Sequence, residues 1–214
     1  MKKCLLSFVF FLFFSSSSFS EVKLTKLLDQ LNSPWSLTIV EEQTYLITEK
    51  SGNLVLFNKA NNTRKNIKHN LNILEDGQGG LLDVLYHQGY VYVSYSEDRG
   101  SGTSSTSAAR AKFNKNKLNF TNIFQANPPI NSGYHFGSRL VIKGEHLYIS
   151  AGERGGDSIA QDSSKHPGSI IRIYLDGTIP KDNPKFKGKP NWLPEIYQIG
   201  IRNVQGMALS PIDN

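Results

Sequence analysis

The chain has 214 residues, a formal charge of +6 and 38% hydrophobic residues. Its single cysteine, Cys4, excludes an internal disulfide, and five scattered histidines without cysteine partners speak against a zinc site. The lysines are spread among Asn, Ser and Asp, and the one concentration, NTRKNIKHN at 62–70, lacks interleaved aromatics; this argues against a nucleic-acid partner, while a mildly basic surface suits an anionic cofactor.

Residues 1–20, MKKCLLSFVFFLFFSSSSFS, begin with Lys2 and Lys3, continue through an apolar run from Cys4 to Phe14, and end in the small-x-small site Ser18-Phe19-Ser20. The run is shorter than the about 20 apolar residues that span a bilayer. A cleaved signal peptide is therefore expected over 1–20, with 21–214 as the mature domain. Cleavage removes the only cysteine, and a periplasmic or secreted protein with no membrane span follows from it.

No long amphipathic helix pattern appears beyond this segment. Short alternating runs do: TYLITEKSGNLVLFN at 44–58, YVYVSYSE at 90–97, HLYISAGERG at 146–155 and SIIRIYLDG at 169–177. Each is rich in β-branched and aromatic residues and is bounded by Gly, Asn or Asp, so each reads as one or two strands with a tight turn. KSGN and LDGT have the composition of hairpin turns. Three segments share a register of Tyr, aliphatic, small polar residue and Glu, running from Tyr45 to Glu49, Tyr92 to Glu97 and Tyr148 to Glu153. A spacing of roughly 50 positions in an all-β chain suggests propeller blades, with a β-sandwich as the alternative. Between three and four such units are present, fewer than the ring of a propeller needs. The chain stops in MALSPIDN, where a further strand is expected, so it reads as the N-terminal portion of a longer fold.

Four polar clusters sit at Gly-rich strand edges: EDGQGGLLDV, YHFGSRL, AGERGGDSIAQD and GIRNVQGMAL. Rim loops of a propeller converge on its axis, so these clusters can share one site. In that setting Gln78 could orient a polar ligand, His135 could accept a proton near neutral pH, and Arg202 with Asn203 could hold an anionic or carbonyl oxygen. Each also has a structural reading: Gln78 as a turn cap, His135 as a surface histidine, Arg139 as partner of a carboxylate, and Arg202-Asn203 as a β-turn. Asp76, Asp83 and Asp157 are the carboxylates that a metal-dependent propeller lactonase would require. Spacing alone leaves these readings open.

Taken in order, LNSPWSLTIVEEQTYLITEKSGNLVLF, GQGGLLDV, VYVSYS, HFGSRL, LYISAGERG, AQD, GSIIRIYLDGTIPKDNP and PEIYQIGIRNVQG resemble the soluble quinoprotein sugar dehydrogenases, the glucose/sorbosone dehydrogenase family. The resemblance covers most of the mature chain and implies a six-bladed β-propeller that uses pyrroloquinoline quinone (PQQ) and calcium. It further implies oxidation of the anomeric hydroxyl of an aldose sugar to a lactone, with electrons passed to a respiratory or dye acceptor. His135 would be the general base, Arg202 would stabilise charge growing on the quinone oxygen, and Gln78, Arg202 and Asn203 would contact the cofactor. Arg139 would stand behind them. Ile201 and Val204 occupy positions where the family carries histidine and proline, and its calcium loop would lie beyond Asn214. The alternative within the same fold is a non-catalytic extracellular binding propeller.

Overall fold

A computed structural model describes residues 22–185 and 188–212. The signal-type segment at 1–20 lies outside the described residues. The first sheet is a meander of β1 (Pro34–Glu41), β2 (Thr44–Glu49), β3 (Leu54–Asn58) and β4 (Thr63–Asn66). A two-residue strand, β5 (Lys68–His69), leads into the second sheet, which contains β6 (Leu81–His87), β7 (Tyr90–Asp98), β8 (Ser104–Lys112) and, after the short β9 (Lys117–Leu118), β10 (Thr121–Gln125). The third contains β11 (Gly137–Lys143), β12 (His146–Ala151), β13 (Ser169–Tyr174) and β14 (Ile196–Ile199). β5 and β9 pair in parallel and tie the first sheet's exit to the second. The fold is all-β, and the three antiparallel four-stranded sheets are successive blades of a partial propeller.

The period of two along each strand explains how the blades stack. In β7, Val91, Val93 and Tyr95 point into a core shared with Leu46, Leu54 and Leu56 of the first blade, whereas Tyr92 points the other way, into a core with Leu140, Leu147, Ile149 and Ile171 of the third. The middle blade is therefore covered on both faces. In β8 the same positions are alanines, Ala109 and Ala111 on one side and Ala108 on the other, small enough for the neighbouring sheets to close over them.

The first strand of each blade meets its neighbours through Asp83. Its Oδ1 accepts from the Ser36 hydroxyl of β1 at 2.5 Å and from the Arg139 guanidinium of β11 at 2.9 Å, and its Oδ2 accepts from the Leu140 amide at 2.7 Å. Burial pushes the Asp83 carboxyl up, and the opposing pull of Ser36, Leu140 and Arg139 leaves it above the usual carboxylate range. Arg139 also lies over the Trp35 ring, at 4.4 Å from its centroid. Both the structural reading of Arg139 and the pinning of β1, β6 and β11 side by side rest on this cluster.

The KSGN turn joins β2 to β3 with Gly52 at φ 101°, as its composition predicts. LDGT also forms a tight turn, closed by Tyr174 N to Thr178 O at 2.8 Å, but no strand follows it at once. Pro180, Pro184, Pro190 and Pro194 lie between it and β14, and proline supplies no ladder N–H, so the strand resumes only at Ile196.

Candidate active site

The four polar clusters come together at one rim, where β6 and β11 begin and β12 and β14 end. Gln78, in the turn before β6, accepts the His135 amide on its Oε1 at 2.9 Å, and its own amide donates to Gly133 O at 2.7 Å. His135 has a left-handed backbone, φ 50°, and is half-buried. Its Nδ1 bonds the Oε1 of Glu153, two residues past β12.

The segment 201–205 is laid along this rim by five consecutive contacts. Ile201 N donates to Gly168 O at 3.1 Å, and Glu153 N donates to Arg202 O at 2.8 Å. Gly137 N donates to Asn203 Oδ1 at 3.0 Å, Ser150 Oγ to Val204 O at 2.7 Å, and Arg139 Nε to Gln205 O at 2.9 Å. The Arg202-Asn203 pair thus stands beside His135 even with Ile201 and Val204 as its neighbours. Arg202 lies 3.8 Å from the Glu153 carboxylate and is 77% exposed, so most of its guanidinium faces out from the rim.

Glu153 itself is almost wholly buried, at 2% exposure. Burial alone would raise its carboxyl; the hydrogen bond with His135, the Asp157 amide on its Oε2 at 2.9 Å and the positive field of Arg202 outweigh that and hold it below the usual range. A carboxylate kept ionised against Nδ1 requires a proton on that nitrogen, so in the neutral ring the lone pair is on Nε2. In the sequence Glu153 stands out only as the third member of the Tyr-to-Glu register. The equivalent residues serve their own blades: Glu49 receives the Asn32 amide and Arg64, and Glu97 receives Ser107, Asn122 and Gln125. Only the direction taken at the end of β12 brings the third member to His135.

The glycines here serve the protein's own backbone. A Cβ on Gly152 would run into the His135 carbonyl, and one on Gly137 would lie 2.9 Å from Gly152 N, so the loops bearing His135 and Glu153 touch because neither glycine has a side chain. A cleft of about 230 Å³ opens beside this cluster between Glu153, Gln161 and Arg202. A larger one, of about 690 Å³ between His87, Arg110 and Asp176, lies at the opposite end of the blades and contains no histidine–carboxylate pair. Of the two, the smaller cleft adjoins the His135–Glu153 pair through Glu153 and Arg202.

Three groups around His135 carry side-chain N–H donors: the largely exposed Arg202 guanidinium, the Asn203 amide, whose oxygen is taken by Gly137, and the Gln78 amide, whose oxygen is taken by His135. That donor set fits an anionic ligand with ring carbonyls, which is the chemistry of a quinone cofactor. Among the described residues no three His, Cys, Asp or Glu side chains gather as metal ligands. Asp83 is committed to Arg139 and Ser36, which removes it from the carboxylates a metal-dependent lactonase would need. Among those residues, too, no helix is long and apolar enough to cross a membrane.

The chain is similar to known proteins along most of its length. Aldose sugar dehydrogenase YliI of Escherichia coli (strain K12) is 34% identical over 203 residues, covering 90% of this chain and 54% of that protein. Quinoprotein glucose dehydrogenase B of Acinetobacter calcoaceticus is 26% identical over 219 residues, covering 86% of this chain and 45% of that protein. Among solved structures, a crystal structure of glucose dehydrogenase superposes with a TM-score of 0.83 at 33% identity, over 88% of this chain and 58% of that one. The chain spans about half the length of the curated relatives it matches. The family model described as Glucose / Sorbosone dehydrogenase matches residues 31–214, and the chain belongs to that family.

Proposed function

We propose that this chain carries the proton-accepting half of a PQQ-dependent aldose sugar dehydrogenase active site. The observation that carries the reading is the His135–Glu153 pair, set in a rim with the Arg202 guanidinium beside it. Oxidation of an aldose to its lactone removes the anomeric O–H proton and the C1 hydrogen as hydride, and the hydride leaves only as the proton does. His135 Nε2 takes that proton. Glu153 holds the ring by Nδ1, fixes the tautomer and stabilises the imidazolium that forms. Arg202, Asn203 and Gln78 would hold the cofactor, with Arg202 offsetting negative charge that develops on an oxygen beside it. PQQ, when bound, supplies the two-electron acceptor for the hydride.

The test is dye reduction by an aldose panel, with and without added PQQ and calcium, on the longest product of the gene and on its His135→Ala variant. Quinone-dependent turnover that falls by at least about a hundredfold in the variant is the expected result. Saturable quinone binding without turnover would establish the recognition-propeller alternative instead, and no quinone binding would overturn the cofactor assignment. Export to the periplasm or beyond is part of the same proposal and rests on the segment at 1–20. Recovery of a mature protein beginning at Glu21 checks it.

A further inference from the structure

Arg154 follows Glu153 in the chain, is 3% exposed, and has no role in the chemistry above. Its hydrogen-bond partners are all neutral oxygens. Nε donates to Tyr134 O at 2.9 Å, NH1 to Ser104 O at 2.9 Å, and NH2 to Ser104 Oγ at 3.0 Å and to Ser132 O. The guanidinium also lies on the Phe136 ring, 3.6 Å from its centroid, and the Arg154 amide donates to His135 O at 3.3 Å. Burial pulls this guanidinium down to about 10, so it remains charged at neutral pH.

Five consecutive carbonyls, 132–136, are therefore satisfied from outside their own loop. Arg154 takes those of Ser132, Tyr134 and His135, Gln78 takes Gly133, and Gly152 with Thr106 takes Phe136. A left-handed backbone at a non-glycine residue such as His135 is disfavoured by about 1–2 kcal/mol and persists only where its surroundings impose it. We infer that Arg154 is the positioning residue that imposes it: its planar fork bolts the loop bearing His135 to the start of β8 and thereby sets where the imidazole stands. Lysine, a point charge without the fork, cannot grip Ser104, Ser132 and Tyr134 together. The inference rests on the reading of His135 as the base, and its test includes a readout independent of turnover.

Arg154→Lys and Arg154→Met are compared with the parent and with Leu46→Ala, a core variant in the first blade that controls for lost stability. Two quantities are read below each variant's melting temperature: steady-state kcat and KM with added PQQ, and, without cofactor, the low-field proton resonance of the His135–Glu153 hydrogen bond. Both Arg154 variants are expected to lose about 10- to 100-fold in kcat, with sugar KM changed less than about threefold, since a displacement near 1 Å costs about that much. They are expected to lose the low-field resonance as well, while Leu46→Ala keeps both. Folded Arg154 variants that keep the resonance would overturn the proposal, and failure of both to fold would assign Arg154 to the fold as a whole and overturn it equally. If the parent shows no quinone-dependent turnover, the resonance alone decides, so failure of the dehydrogenase reading is distinguishable from failure of this one.

Discussion

Glu153→Gln isolates what the carboxylate does for the base. Both carboxylate oxygens are occupied, Oε1 by His135 Nδ1 and Oε2 by the Asp157 amide at 2.9 Å. The Asp157 N–H needs an acceptor, so glutamine must keep its oxygen at the Oε2 position and turn its NH2 toward His135. Nδ1 then has to accept, the ring proton moves to Nε2, and the lone pair that receives the sugar's proton is gone. The variant is therefore expected to lose nearly the full worth of the general base, about 10²–10⁴ in kcat, or roughly 3–5 kcal/mol of barrier. Shape is preserved and two hydrogen bonds to a charged group become neutral, so the loss of stability is about 1–3 kcal/mol. PQQ-dependent dye reduction measures the first, a thermal melt the second, and 15N shifts of the imidazole the tautomer. A kcat within tenfold of the parent, or a ring that keeps its proton on Nδ1, would refute the reasoning. The pH dependence adds a sign. Because the folded Glu153 value is lowered, its contribution to stability is present above the ordinary carboxylate value and is lost as pH falls through the lowered one; the variant lacks that loss.

Arg139→Met leaves the buried Asp83 carboxylate without its cation and is expected to cost about 3 kcal/mol at neutral pH. Asp83 titrates above its ordinary value, so the cost shrinks as acidification protonates it; chemical denaturation across pH checks both. Gly152→Ala drives a methyl into the His135 carbonyl and is expected to destabilise by about 1–3 kcal/mol while loosening the His135–Glu153 contact, measured by melting and by the low-field proton. Leu46→Ala, at a fully buried core position of the first blade, is expected to cost about 2–5 kcal/mol in denaturant unfolding with kcat unchanged.

The strands legible in the sequence are those with β-branched and aromatic residues at alternate positions, such as β2, β3, β7, β12 and β13. β8, SSTSAARAK, carries no such signal because it lies between two sheets that require small side chains there. β6 is hidden for a different reason: its polar lead-in and Asp83 read as a site cluster, whereas Asp83 serves the junction of three blades. At the site, the residue types of Gln78, His135, Arg202 and Asn203 left their roles open until the resemblance supplied them. Their convergence is what the structure adds. Glu153 and Arg154 were visible only as part of a repeat and a Gly-rich cluster, because what they touch depends on where the loop after β12 turns. That turn is set by backbone contacts at Gly137 and Gly152, which no one-dimensional spacing encodes.

The carbonyls of the His135 loop are met by donors far away in the chain, Gln78 lying 57 positions from His135 and Arg154 lying 22 from Ser132. The loop therefore has no conformation of its own to fall back on, and its geometry exists only once the second and third blades are closed on each other. Any opening of that seam disarms the base while the sheets are still intact, so inactivation should precede melting as temperature or denaturant rises. The histidine is in effect a gauge of the seam: its ring signals report whether two blades are docked long before circular dichroism registers a change.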